Sequence, residues 1–322
     1  MKQQAKEDAL VGRIARQLGV AKSNAPALGL GDDAALWKAR GGHEVVLTSD
    51  WFLEGSHFLR AKHPPDAVGW KCLARAVSDI AAMGGAPRCF LLSLALPPQL
   101  TGRWLDEFLR GLKRASHALG CQAAGGDTSR QDKVLINVTV IGEVPAGRAV
   151  LRSGARAGDL LYVSGTLGQA DLGLEQLRRQ RGMARASSAA LRKHLFPEPR
   201  LKLGQWLAEK RLATAMMDLS DGLSTDLPRL CAGSSVGARI RMDCLPASSL
   251  ASPAEARKLA LNGGDDYELL FTVSARNASR LPKKFHGLPL TCVGAITKER
   301  KILLETERGI EPMRSGGWDP FR

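Results

Sequence analysis

No apolar run in this 322-residue chain approaches the ~20 residues that a membrane-spanning helix requires, so no membrane span is expected. The first residues, Met1-Lys2-Gln3-Gln4-Ala5-Lys6-Glu7, hold no apolar signal core, which makes the cytoplasm the expected compartment. The six cysteines, Cys72, Cys89, Cys121, Cys231, Cys244 and Cys292, never fall in a CxxC spacing and sit mostly in apolar segments. That distribution argues against a disulfide framework or a zinc site and for reduced, buried thiols. A GxxxxGK[ST] segment is also missing, which excludes a P-loop nucleotide site. Low-complexity tracts are absent, and a hydrophobic fraction of 44% fits a chain folded throughout. The length suits two domains of ordinary size, with one large domain as the alternative.

Acid is in short supply as well, with 32 Asp+Glu against 46 Lys+Arg and a net charge of +14. Such a balance raises the question of nucleic-acid binding. The densest basic stretch, Arg178-Arg179-Gln180-Arg181 followed by Arg185, Arg192 and Lys193, has no interleaved aromatics and reads as a solvated helix face. No nucleic-acid partner is expected.

The aspartates that are present stand beside Gly, Ser or Thr again and again, at Gly31-Asp32-Asp33, Thr48-Ser49-Asp50, Ser78-Asp79, Gly125-Gly126-Asp127-Thr128, Asp218-Leu219-Ser220-Asp221-Gly222 and Gly263-Gly264-Asp265-Asp266. Any one such pair is ordinary turn chemistry. Repeated along the chain, the pattern supplies carboxylates on backbone that can turn sharply and approach a ligand closely. Without Cys or His partners these are ligands for hard cations such as Mg²⁺. Carboxylates share a site with a polyphosphate only when metal lies between them, so the pattern points to metal-dependent phosphoryl chemistry.

Apolar periodicity predicts an amphipathic first helix over Asp8 to Leu18, a strand over Glu44 to Ser49 with Asp50 at its end, and a helix from Pro64-Pro65 to Gly84-Gly85. Cys89 to Leu96 reads as a strand, Trp104 to Leu119 as a helix stopped by Gly120, and Val134 to Val144 as an alternating strand, with a short strand delivering Gly125-Gly126-Asp127. This order suits helices packed on one side of a sheet. Pro145-Ala146-Gly147 marks a domain junction. Beyond it, strands are predicted at Leu160 to Ser164, Ala213 to Met217, Ala238 to Met242, Tyr267 to Val273, Leu290 to Ile296 and Ile302 to Leu304. Helices are expected around Leu172 to Leu177 and Leu201 to Lys210. Most aspartate motifs would then sit where strands hand over to loops.

Gly29-Leu30-Gly31-Asp32-Asp33-Ala34 matches GxGxx[GA] only formally, since no good apolar strand precedes it. Asp226 is either a further ligand or an exposed helix residue. His57, beside Phe58, is by chemistry alone an ordinary half-buried histidine. Arg152, on the connector between the halves, is either an ordinary exposed arginine or a phosphate fork. The tail Gly316-Gly317-Trp318-Asp319-Pro320-Phe321 either docks its aromatics on the core or serves as a substrate lid.

Read in order, these motifs resemble the thiamine-monophosphate kinase family, within the superfamily of aminoimidazole ribonucleotide synthetase. The resemblance runs from Gly29 to Phe321 and is carried by Gly31-Asp32-Asp33-Ala34, Ser49-Asp50 with Glu54-Gly55-Ser56-His57-Phe58, Ser78-Asp79-Ile80-Ala81-Ala82-Met83-Gly84, Gly125-Gly126-Asp127-Thr128, Arg152-Ser153-Gly154-Ala155, Asp218-Leu219-Ser220-Asp221-Gly222-Leu223 and Gly264-Asp265-Asp266-Tyr267-Glu268-Leu269. It implies an α+β, two-domain, aminoimidazole ribonucleotide synthetase-like architecture. An N-terminal domain over residues 1–147 would bind ATP and Mg²⁺ and share its sheet across a homodimer, and an α+β domain over residues 148–322 would complete the nucleotide and substrate cleft. The implied reaction is direct in-line transfer from ATP to thiamine monophosphate, giving thiamine diphosphate. By this likeness Asp33, Thr48, Ser49, Asp50, Asp79, Asp127, Asp218 and Asp221 would hold several Mg²⁺ ions. Gly126, Asp127, Arg152 and Ser220 would contact ATP, and His57, Asp265 and Trp318 the thiamine monophosphate. Asp50, Asp127, Asp221 and Arg152 would carry the catalysis. The chain departs from the family pattern at Trp51, where a smaller residue is common, at Asp265, where Glu is usual, and at Pro320, where His is usual. Aminoimidazole ribonucleotide synthetase is the alternative enzyme; a basic nucleic-acid-binding module would leave the aspartates unexplained.

Overall fold

The structure is a computed structural model that describes residues 4–19 and 34–321. The described residues divide into two units, the first within Met1–Ile80, Ala86–Ala146 and Arg179–Arg185, the second within Ala81–Gly85, Gly147–Arg178 and Ala186–Arg322. The elements of the first half are α1 (Gln4–Leu18), β1 (His43–Leu53), α2 (Pro65–Ala82), β2 (Ala86–Leu96), α3 (Arg103–Leu119), β3 (Gln122–Arg130) and β4 (Leu135–Pro145). Four strands form a sheet in the order β1-β4-β2-β3, antiparallel except for the parallel β2–β3 pair.

Side-chain alternation gives this sheet two unlike faces. Phe52, Phe90, Leu92, Leu94, Ile136, Val138 and Val140 are buried on one of them. Helix α2 lies on this side, since Gly142 faces Ile80 so closely that an added Cβ would meet Ile80 Cγ2 at 2.9 Å. Register puts Thr48 opposite Val140 and Asp50 opposite Val138, so both belong to the helix-covered face. The other face leaves Val45, Leu47 and Trp51 exposed. Asp50 is expected at a strand end, yet β1 continues to Leu53. Phe52 extends the buried alternation past the carboxylate. Asp127 likewise sits inside β3 rather than after it.

The second half contains β5 (Leu160–Ser164), α4 (Gln169–Arg179), α5 (Ala189–Leu195), α6 (Leu201–Glu209), β6 (Ala213–Leu219), α7 (Leu223–Ser234), β7 (Gly237–Arg241), α8 (Pro253–Asn262), β8 (Glu268–Val273), α9 (Ala275–Ala278), β9 (Lys284–Phe285), β10 (Leu288–Thr297), β11 (Ile302–Thr306) and β12 (Gly309–Pro312). Its sheet runs β12-β11-β7-β10-β5-β8-β6, with β9 beside β10. Around β6 and β8 both faces are covered. Met217, Leu219 and Leu270 pack with Leu223, Leu227 and Leu230 of α7. Met216, Leu269 and Phe271 pack with Leu203 and Leu207 of α6. Burial on both sides explains why every residue of β8 is buried, with Leu269, Leu270 and Phe271 running consecutively through it. All six cysteines are free thiols, and Cys72, Cys89, Cys121 and Cys231 are buried.

Helices α2 and α3 cross where both lack side chains. A Cβ on Gly69 would lie 2.0 Å from the Phe108 carbonyl oxygen, and one on Gly111 would lie 1.8 Å from that of Asp66. Backbone cannot yield as a side-chain tip can, so Gly111→Ala is expected to destabilise the chain by about 1–3 kcal/mol or more. Urea denaturation measures the loss; an unchanged midpoint would show that the helices separate freely.

Candidate active site

Two sets of polar residues come from the first unit. Thr48 Oγ1 donates to Asp79 Oδ2 at 2.5 Å, joining β1 to α2 on the covered face. Asp50 lies two residues along the same face, with Arg75 Nε 3.9 Å from its Oδ2. The Arg75 guanidinium stands 5.2 Å from the centre of the Phe52 ring, so a cation–π contact fixes it there. Ser49 faces the other way, its hydroxyl 3.1 Å from both Asn137 Oδ1 and Thr139 Oγ1. Asp127 is opposite Ser93, which is opposite Asn137, so it shares the open face with Ser49. Strands β1 and β3 are the two edges of the sheet, about 14 Å apart at three strand spacings. The structure therefore does not bring Asp50 and Asp127 onto one ion within a single chain. Gly126 (φ +151°) presses β3 against β2 so tightly that a Cβ would meet the Leu92 carbonyl oxygen at 1.9 Å.

His57 belongs to the turn after β1. Its Nδ1 accepts the Leu53 N–H at 3.0 Å, which requires Nδ1 to be unprotonated and leaves Nε2–H as the donor. Glu54 ties this turn down, accepting from Arg60 Nε at 2.7 Å and from the Val134 N–H at 2.8 Å.

In the second unit, three segments distant in sequence meet at the end of β6. Asp218 is buried there, and the chain then turns through Ser220, Asp221 and Gly222 into α7. Gly222 (φ +104°) is required, because a Cβ would meet the Asn262 carbonyl oxygen at 2.6 Å. The Asp265 N–H donates to the Ser220 carbonyl at 2.8 Å and the Tyr267 N–H to that of Leu219 at 2.9 Å. From the tail, the Trp318 N–H donates to the Asp221 carbonyl at 2.9 Å and the Gly316 N–H to Ser224 Oγ at 3.1 Å. Ser220, Asp221, Asp265 and Trp318 are thus one hydrogen-bonded group. The tail docks by its backbone, while the Trp318 side chain stays 45% exposed.

Asp226, read from sequence as ligand or exposed residue, is not exposed. It is fully buried, and its Oδ2 accepts the N–H groups of Ser220 at 3.1 Å and Asp221 at 3.0 Å. Burial pushes its carboxyl up to about 6. Arg229, which sequence reasoning missed, donates Nη1 to Asp221 Oδ2 at 2.6 Å and to Asp226 Oδ1 at 2.7 Å. The Asp-x-x-Arg spacing on one helix face is the signal that could have found it.

Asp265 (φ +67°) and Tyr267 (φ +51°) adopt left-handed backbone, and the Tyr267 hydroxyl donates to Asp265 Oδ1 at 2.8 Å. His194 Nδ1 stands 3.7 Å from Asp265 Oδ2. Next to them, Glu268 is buried with Lys193, with Arg200 Nε at 2.7 Å and with Ser164 Oγ at 2.6 Å. Burial alone would raise its carboxyl, but Lys193 and Arg200 hold it below the ordinary range. Arg152 is exposed, and its carbonyl accepts from Ser234 Oγ at the far end of α7 from Ser220, so the second unit does not gather these two. Asp33 lies outside the described residues.

Among the described residues no three His, Cys, Asp or Glu side chains converge as a metal cage. The donors are nonetheless all oxygen, in separate groups of one or two carboxylates. That fits Mg²⁺, which usually takes one or two carboxylates and completes its shell with water and substrate phosphates.

The family model for the AIR synthase related protein N-terminal domain matches residues 31–144, and that for the C-terminal domain matches residues 156–305. The chain is 39% identical to the thiamine-monophosphate kinase of Escherichia coli K12 over 304 residues, covering 91% of this chain and 92% of that one. The crystal structure of thiamine-monophosphate kinase from Stenotrophomonas maltophilia K279a aligns with TM-score 0.82 at 35% identity, over 92% of this chain and 96% of that one. The structure of AaThiL complexed with AMPPCP and TMP aligns with TM-score 0.76 at 34% identity, over 88% and 89%.

Asp266 generates a pH-dependent prediction. It is fully buried, accepting the Gly168 N–H at 2.5 Å and the Ala170 N–H at 3.0 Å. Burial raises its carboxyl to about 7, against the pull of Lys193. Between the ordinary carboxylate range and about 7 the folded chain keeps a proton that the unfolded chain has released, so stability falls as pH rises through that window. The slope from this one group is at most about 1.4 kcal/mol per pH unit. Asp266→Asn is expected to flatten the fall in melting temperature between pH 5 and 7 (about the window set by those two ends); parallel curves for both proteins would refute the assignment.

Proposed function

We infer the function from a plain premise: the chain belongs to the thiamine-monophosphate kinase family. It phosphorylates thiamine monophosphate with ATP, yielding thiamine diphosphate and ADP, as the last step in making that cofactor in the cytoplasm. The observation that supports this reading is the hydrogen-bonded group of Ser220, Asp221, Asp265 and Trp318, in which the turn proposed to meet the nucleotide lies beside a carboxylate and an exposed tryptophan proposed to meet the substrate. A cationic thiazolium and a flat pyrimidine are suited by such a face and carboxylate. His57 supplies a further donor toward the substrate.

Thr48, Ser49, Asp50, Asp79, Asp127, Asp218 and Asp221, with Asp33, are proposed to hold several Mg²⁺ ions. The chemistry that Mg²⁺ would supply there is charge neutralisation of the phosphate oxygens. Gly126 gives the nucleotide access to bare backbone, Ser220 offers its hydroxyl, and Arg152 supplies a guanidinium to ATP. The chain is proposed to act as a homodimer through the open sheet face, where the exposed side chains of Val45, Leu47 and Trp51 offer apolar contacts to a second copy.

The nucleophile is a phosphate oxygen of thiamine monophosphate. A phosphate monoester has a second pKa of about 6, so near neutral pH it is already ionised and no general base is required. The bond from this oxygen to the γ-phosphorus forms as the bond to the β–γ bridging oxygen breaks, and ADP leaves. The protein's part is alignment and charge neutralisation.

Incubating the purified chain with ATP, Mg²⁺ and thiamine monophosphate is expected to yield thiamine diphosphate. Trp318→Ala should raise KM for thiamine monophosphate about tenfold with little change for ATP. Absence of product would remove the activity, and equal effects on both substrates would return the tail to packing. Chirally labelled γ-phosphate should emerge inverted, with no phosphoenzyme formed from ATP alone; net retention would require a covalent nucleophile.

A further inference from the structure

Arg229 has no place in the reading above, yet one of its nitrogens sits within hydrogen-bond distance of two carboxylates. Nη1 is 2.6 Å from Asp221 Oδ2 and 2.7 Å from Asp226 Oδ1. Asp226 is anchored: its side chain is fully buried, and its second oxygen is occupied by the N–H groups of Ser220 and Asp221. Asp226 therefore holds the guanidinium in place, and Asp221 receives a cation in return. The Asp221 side chain is 22% exposed and that of Arg229 43%, so the pair borders solvent rather than the core.

We propose that Arg229 is a resident counter-cation of Asp221 that weakens the hold of this carboxylate on a divalent cation. The proposal rests on the reading of Asp221 as a metal ligand. Its physical basis is repulsion across one carboxylate. A divalent cation held by either oxygen of Asp221 would stand close to a guanidinium nitrogen that is 2.6 Å from Oδ2, and two like charges on one carboxylate repel. Asp226 keeps the guanidinium there, since its Oδ1 also accepts Nη1. The device would keep the Ser220–Asp221 turn charge-balanced and shaped in the nucleotide-free protein. Arg229 is thus a positioning residue, acting on Asp221 and not on substrate.

The test is Mn²⁺ binding to the full-length, nucleotide-free protein, followed by electron paramagnetic resonance of the free ion. Asp221→Asn should lose part of the binding. Arg229→Gln should tighten that Asp221-dependent part about two- to fivefold, the worth of an exposed ion pair. Arg229→Lys, which keeps the charge on a shorter side chain, should fall between Gln and the parent chain. Arg280→Gln, an equal change of net charge at an exposed arginine bonded to Asn277, should leave binding unchanged. Tightening should vanish in the Asp221→Asn, Arg229→Gln double variant. Unchanged or weaker binding in Arg229→Gln, or equal tightening in Arg280→Gln, overturns the counter-cation role while leaving Asp221 as a ligand. Unchanged binding in Asp221→Asn overturns both.

Discussion

The buried carboxylate of Asp226 is the contact on which the second unit's site depends. A carboxylate removed from water is costly unless its oxygens are filled. Here they are filled by the two N–H groups of the turn that carries Ser220 and Asp221, and by Arg229. The turn in turn supplies the carbonyls that receive Asp265, Tyr267 and Trp318. Removing the Asp226 charge would leave donors unpaired at the hub of every one of these links.

The two sheets meet the same demand differently. In the first unit one face is covered and one is open, so polar side chains on neighbouring positions of β1 point to different surroundings. That is why Thr48 and Asp50 share a face with Asp79 while Ser49 and Asp127 do not. In the second unit both faces are buried at β6 and β8, so polar groups there lie toward the ends of the strands and in the loops.

Much of this was legible in the residues. The apolar runs at Cys89 to Leu96 and Leu160 to Ser164 became β2 and β5, and Gly120 ended α3 in left-handed backbone. Asp50 was misjudged because a lone carboxylate looks like a strand end, whereas Phe52 continues the buried face beyond it. Asp226 was illegible because its partners are backbone N–H groups, which have no letter in a sequence. The bounds of α7 were hard to foresee with Pro228 inside it. The clash that makes Gly111 indispensable is likewise invisible, since it involves a carbonyl of another helix.

Left-handed backbone at Asp265 and Tyr267 also bears on time. A tyrosine with φ +51° is conformationally costly, and it persists here because its N–H and its hydroxyl are both committed. Such a segment has already surrendered its conformational entropy during folding. Little of this backbone is then left to be ordered by anything that meets it later, so its shape is set by folding itself.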